Sequence, residues 1–168
     1  MKLNGKYAWI GTHSSAKTTT INRLSRFLSD LGVEHIVVSE VARDCPLPVN
    51  KESGFFSQIW MLGEQIRREK LASQTKKLIL CDRSVWDYLV YGISLYRRNM
   101  IKKHELDVIE KKVIEHVSNE PYTVIYFCKP RPIYDDGFRD IDPMWQKEIY
   151  DIFNEVIEKY DVEVSRVN

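Results

Sequence analysis

The stretch "GTHSSAKTT", Gly11–Thr19, follows the apolar run Tyr7–Ile10 and precedes a segment of helical periodicity. Glycine, four residues, then Ala16, Lys17 and Thr18 come close to the pattern G-x-x-x-x-G-K-[ST], with Ala16 where the second glycine belongs. Between a strand and a helix, such a loop turns successive backbone N–H groups and a helix N-terminus toward one anion. Gly11, His13, Ser14, Ser15, Ala16, Lys17, Thr18 and Thr19 are therefore the candidate contacts to the phosphates of ATP. Lys17 would reach the β- and γ-phosphates, and Thr18 would ligate Mg²⁺. The Ala16 methyl is tolerable if that residue has ordinary helical dihedrals and strained if its φ is positive. Alanine is the smallest side chain that can stand there, so a tolerated variant is expected.

Working outward, the rest of the chain supplies a setting for this loop. Its 168 residues are enough for one domain, and no repeat or low-complexity linker divides them. A net charge of +1 advertises neither nucleic acid nor an anionic membrane. The three cysteines, Cys45, Cys81 and Cys128, are widely spaced and odd in number, which fits reduced thiols and a cytoplasmic setting. No apolar run approaches the length of a membrane span, so no membrane partner is expected.

Short apolar runs at Tyr7–Ile10, His35–Ser39, Leu78–Cys81, Thr123–Phe127 and Val162–Ser165 read as strands. Helical spacing fills the gaps. Ile21, Leu24, Phe27, Leu28 and Leu31 form one apolar stripe, ended by Gly32. Phe56, Ile59, Trp60, Gly63 and Ile66 mark a second helix, Trp86 to Ile93 a third and Leu106 to Val117 a fourth. Ile149 to Tyr160 marks the last, with Asp142 as N-cap and Pro143 at the first helical position. Strands that are continuously apolar and alternate with helices predict an α/β fold, a parallel sheet with helices on both faces. Ligands in such folds sit at the carboxyl ends of the strands.

Those ends carry polar chemistry. After the second strand, "SEVARD" places Glu40 to face a phosphate or an acceptor and Arg43 to bind an anion as a fork. Gln58, Gln65 and Arg68 share one helix face, and the two amides offer the donor-plus-acceptor pair that suits a nucleobase edge. After the third strand, "CDRSVWD" supplies Asp82 for the Mg²⁺ shell or an acceptor proton, Arg83 as an acceptor clamp and Asp87 at a helix start. After the fourth, "CKPRPIYDDGFRDIDP" is long, polar and Gly/Pro-bearing, and Arg131 and Arg139 flank its turn. A lid over residues 130–142 is expected, with these arginines neutralising charge on a transferring phosphoryl group.

Together "GTHSSAKTT", "SEVARD", "CDRS" and "DDGFRD" resemble the P-loop nucleoside and nucleotide kinases, from thymidylate kinase and deoxynucleoside kinases to the riboside kinase domain of the NadR type. The resemblance spans nearly the whole chain. It implies a three-layer P-loop NTPase fold in one domain over 1–168, a five-stranded parallel sheet, Mg-ATP as donor and an arginine-bearing lid. By position, Glu40 looks like the acidic residue after strand 2, Asp82–Arg83 like the family's Asp-Arg or Glu-Arg pair, and Gln58 and Gln65 like base-binding glutamines.

Three functions compete at this stage. One is an ATP-dependent kinase of a nucleoside or nucleotide, with Lys17, Arg131 and Arg139 neutralising charge and either Glu40 or Asp82 as base. Another phosphorylates a hydroxyl on a modified base in DNA, using Arg97, Arg98, Lys102 and Lys103 as a backbone-binding patch. The third is a nucleotide-binding ATPase or switch, against which Arg83 rather than a second acid follows Asp82. The expected assembly is a monomer or homodimer.

Overall fold

The computed structural model describes residues 4–133, 135, 137 and 141–167. Five strands, β1 (Gly5–Ile10), β2 (His35–Val38), β3 (Leu78–Asp82), β4 (Val124–Cys128) and β5 (Ser165–Val167), form one sheet in the order β2-β3-β1-β4-β5. Every pairing is parallel. Five α-helices connect them: α1 (Lys17–Asp30), α2 (Phe55–Ser73), α3 (Val85–Arg97), α4 (Lys103–Asn119) and α5 (Pro143–Lys159). The expected α/β fold with a five-stranded parallel sheet is what the chain adopts.

Side chains alternate across the sheet, so each strand feeds two cores. Trp9, Leu78, Leu80 and Cys128 face α1, where they meet Ile21 and Leu28. Ile10, Ile125 and Phe127 point the other way, into a larger core with residues of α2, α3, α4 and α5. The helical layers are thus unequal, one helix against four. Ile149, Ile152 and Phe153 of α5 are fully buried there, and truncating one such side chain costs roughly 2–5 kcal/mol.

Two expectations shift. The stripe on α1 is narrower than its periodicity predicts: Phe27 and Leu31 are 59% and 61% exposed, because a single helix on this face needs only Ile21 and Leu28 to cover its strands. Phe56 on α2 is likewise exposed. Strand 5 begins at Ser165, not Val162. The Val162 N–H closes the end of α5 on the Ile157 carbonyl, and Val162 and Val164 pack into the large core. The ladder with β4 starts only where Ser165 meets Tyr126. The helix signals hold at both tested ends: Asp142 accepts from the Met144 N–H at 2.8 Å with Pro143 at N1, and Gly32 takes a φ of 69° after α1. Among the described residues no helix is long and apolar enough to cross a membrane.

Candidate active site

The parallel sheet brings the carboxyl ends of β1, β3 and β2 side by side, and the sequence puts its polar residues there. The loop between β1 and α1 comes first. Gly11 has a φ of 140°, and a Cβ on it would lie 2.7 Å from the Cys128 carbonyl oxygen, so only glycine fits this crossing of β1 and β4. Ser14 and Ala16 both have positive φ, 53° and 59°. The methyl of Ala16 therefore sits in the left-handed region, which costs a residue with a Cβ about 1–2 kcal/mol. Ala16 is tolerated under strain, not free of it. Its carbonyl accepts the first α1 bond, from the Thr20 N–H at 3.0 Å.

Lys17 is buried, and its ammonium is turned onto the loop itself. It donates to the carbonyls of Gly11 and Thr12 at 3.0 and 2.6 Å and to Ser15 Oγ at 3.0 Å. Burial, then the neighbouring Arg83 guanidinium, lowers its pKa to about 8 against the pull of nearby carboxylates. Beside it the Thr18 hydroxyl donates to Asp82 Oδ2 at 2.5 Å. Burial pushes the Asp82 carboxyl up, while Lys17 and Thr18 pull it down. Thr19 lies exposed on the first turn of α1.

Across the site, Arg83 is the hub. Its backbone has a φ of 85°. Its Nε and Nη2 donate to Glu40 Oε1 at 3.0 and 2.9 Å, and its Nη1 to Asp87 Oδ1 at 3.2 Å. The guanidinium also lies 5.5 Å from the centre of the Tyr91 ring. Glu40 offers its second oxygen to Arg43 at 3.1 Å. Asp87 has both readings at once: it closes the capping box of α3 on Ser84, and it neutralises Arg83. Glu40, Arg83 and Asp87 line a pocket together with His13, Gln58, Met61, Tyr88 and Tyr91.

Gln58 and Gln65 part company. Gln58 donates to Ser53 Oγ at 2.9 Å and lines the pocket. Gln65 is fully buried behind Tyr88, and its amide is used by Glu69, the Tyr88 hydroxyl and the Arg83 carbonyl. Placed there, it has no face left for a base. Arg68 turns outward to Asp44 and Glu64.

Among the described residues, Ser14 Oγ, Asp82 Oδ1 and Gln58 Oε1 are buried at the site with no hydrogen-bond partner, as is His116 Nδ1 away from it. Leaving such an atom unsatisfied costs about 1–3 kcal/mol, so the three at the site mark where ligand groups belong. They run from the phosphate loop, past the centre, to the pocket wall. Among the described residues no group of three or more His, Cys, Asp or Glu could hold a metal ion. Mg²⁺ takes one or two protein oxygens with waters and phosphates, and the adjacent oxygens of Thr18 and Asp82 are donors of that kind.

The segment after β4 is tied to the loop. The Arg131 N–H donates to the Ser14 carbonyl at 2.9 Å, and the Gln146 amide bridges the carbonyls of His13 and Arg131, 3.0 Å to each. The Arg131 side chain is exposed at this edge; Arg139, like part of the expected lid, lies outside the described residues. The basic patch is largely neutralised. Arg97 pairs with Glu155, Arg98 with Glu148 and Lys103 with Asp107, while Lys102 precedes α4 as its N-cap.

Sequence reading missed Tyr88, Tyr91, Trp145 and Gln146. Trp145 packs against His13 with the rings tilted and their centres 5.2 Å apart, and meets the Tyr91 ring edge-on at 5.8 Å. A signal existed for the tyrosines: Asp87 and Tyr91 stand one turn apart on a helix whose other residues up to Ile93 are apolar or aromatic. None existed for Gln146, whose partners are backbone carbonyls far away in the chain.

Several solved structures share this architecture. The deoxyadenosine kinase from M. mycoides with bound dATP matches with a TM-score of 0.72 at 19% identity, over 98% of this chain and 90% of that one. The NadR protein in complex with NR matches with a TM-score of 0.76 at 18% identity, over 98% of this chain and 46% of that one. Thymidylate kinase from Ehrlichia chaffeensis matches with a TM-score of 0.62 at 15% identity, over 96% and 84%. At such identities the likeness carries the fold alone. No curated protein matches the sequence significantly. The family profile described as an AAA domain matches residues 6–168.

Proposed function

The chain belongs to the AAA domain family, and from that premise we propose that it is an ATP- and Mg²⁺-dependent phosphotransferase whose acceptor is a nucleoside or nucleotide. The observation that carries this reading is the line of unsatisfied buried atoms from Ser14 through Asp82 to Gln58. An ATPase needs only the first half of that line. The second half, with its pocket of Tyr88, Tyr91, Met61 and Gln58, calls for a second, partly aromatic ligand. The kinase-like neighbours named above agree with this reading in fold.

In this reading Lys17 gives up the carbonyls of Gly11 and Thr12 and takes the β- and γ-phosphates. Thr18 and Asp82 would hold Mg²⁺, which would supply charge neutralisation at the transferring phosphoryl group. That leaves Glu40 for the acceptor. It stands at the pocket wall with Arg83, where it orients an acceptor hydroxyl and takes its proton; if the acceptor is a phosphate, Arg83 and Arg43 bind it and no base is required. Gln58 Oε1 accepts from an N–H of the base. Arg131, whose backbone is tied to the phosphate loop at Ser14, adds positive charge near the phosphoryl group. The DNA-kinase reading draws nothing from a patch whose arginines are already paired.

Labelled ATP with Mg²⁺, offered with a panel of nucleosides, nucleotides and modified DNA, tests this directly. Transfer to a nucleoside or nucleotide, lost in Lys17→Ala, is expected. Equal transfer by wild type and Lys17→Ala, or ATP hydrolysis indifferent to every acceptor, overturns it.

A further inference from the structure

Beneath the site lies a buried polar cluster that the proposed chemistry does not use. Its centre is Glu69 of α2, fully buried, with both carboxylate oxygens doubly engaged. Oε2 accepts from Lys6 Nζ at 2.7 Å and lies 2.8 Å from His116 Nε2. Oε1 accepts from Gln65 Nε2 at 2.8 Å and from the Tyr122 hydroxyl at 2.7 Å. Burial alone pushes this carboxyl up; its hydrogen bonds and the Lys6 charge reverse that and hold it low. Such an ion pair rarely stabilises more than well-packed apolar residues of equal volume, so stability alone does not account for it.

The two groups on Oε1 reach further. The Tyr122 oxygen accepts from the Val85 N–H at 3.0 Å, and Gln65 Nε2 approaches the Arg83 carbonyl at 3.4 Å. Gln65 Oε1 also accepts from the Tyr88 hydroxyl at 3.2 Å. Burial keeps the Tyr122 phenol protonated, so it donates to Glu69 while it accepts from Val85. The backbone on either side of Ser84 is therefore gripped from below by one carboxylate. This backbone needs gripping: Arg83 stands at a φ of 85°, a conformation that persists in a bulky residue only where its surroundings over-determine it.

We propose that Glu69, acting through Tyr122 and Gln65, is a positioning residue for Arg83, holding the strained 83–85 turn so that the guanidinium meets Glu40 and Asp87. This geometry rests on the proposed function only for what Arg83 then binds. Gln65, which sequence spacing places beside Gln58, works here one layer behind the pocket.

Tyr122→Phe tests it by removing a single oxygen. In ¹⁵N-labelled protein, solvent exchange of the Arg83 Nε–H, shielded in the wild type by Glu40, should rise about tenfold. Val113→Ala, a buried truncation on α4 outside this cluster, controls for general loosening and should leave that exchange unchanged after comparable loss of thermal stability. With whichever of the common ribo- and deoxynucleosides the wild type phosphorylates, Tyr122→Phe should raise the acceptor KM about tenfold with ATP KM unchanged. The effect should vanish in an Arg83→Ala background. Unchanged Arg83 exchange in folded Tyr122→Phe overturns the inference, as does an equal rise in Val113→Ala. If the wild type phosphorylates nothing, the kinase reading fails, and the exchange measurement still decides this one.

Discussion

The two walls of the site are held in different ways. The phosphate-loop wall is one contiguous stretch, Gly11 to Thr18, and its shape is backbone: positive φ at Ser14 and Ala16, a glycine crossing at Gly11, and a lysine satisfied by the loop's own carbonyls. The acceptor wall is assembled from side chains whose partners stand 43 residues apart, Glu40 against Arg83. The first wall combines backbone strain at Ser14 and Ala16 with one buried ammonium, whereas the second adds a network of buried charges to the strain at Arg83. Local strain can be relieved by one residue without touching another. Buried charge cannot, because each member leaves a partner uncompensated.

Four substitutions or titrations would break or sharpen that contrast. Lys17→Ala should lower phosphoryl transfer by about 10²–10³-fold, the scale of one lost transition-state donor, with little change in thermal stability; steady-state rates beside a melting curve check both. Glu40→Ala should act on both quantities. It abandons the buried Arg83, and loss of one partner costs about 3–5 kcal/mol. Asp87 still faces Arg83, so the lower end is expected in urea unfolding, together with loss of acceptor binding. A melting curve like the wild type's would mean that the acceptor wall is not held by charge.

Ala16→Gly should stabilise. It removes a left-handed penalty of about 1–2 kcal/mol and returns roughly 0.5–1 kcal/mol to the unfolded chain, for a net gain of about 0.5–1 kcal/mol. A loss of stability would show that the Ala16 methyl makes a contact worth more than its strain. The fourth test is a titration. The Lys17 pKa is near 8 when folded and 10.5 in its ordinary state. The unfolded chain therefore binds more protons between those values, and Lys17 adds stability as pH rises through that window. Below it the cost of burying the charge is fully present. ATP affinity should run the other way, falling above about pH 8 as the ammonium is lost, and Lys17→Ala should flatten that slope in calorimetric titrations.

Much of this was legible in the chain. Apolar runs and helical spacing locate the five strands and the five α-helices, although α2 runs on from its last marker, Ile66, to Ser73, and the single turns at Val41–Asp44 and Asn50–Glu52 are not signalled; burial on both faces leaves a parallel strand little choice but continuous apolar character. Glu40, Arg83 and Asp87 are legible as residues at strand ends or helix starts. The bonds among them are not, since the sheet order that sets Glu40 beside Arg83 is a property of three strands at once. The uneven layering, which leaves Phe27 and Leu31 exposed, is invisible to a periodicity that counts only apolar spacing.

The phosphate loop shows both sides. Its residue order alone determined that a strand, a glycine, a lysine and a helix start would meet in one loop, since that meeting needs only neighbours in sequence. Tertiary structure decided that Ala16 would carry a positive φ and that Gln65 would serve Glu69 instead of the pocket. Dihedrals and partners of this kind are imposed by packing from distant segments, and no local spacing encodes which segment arrives.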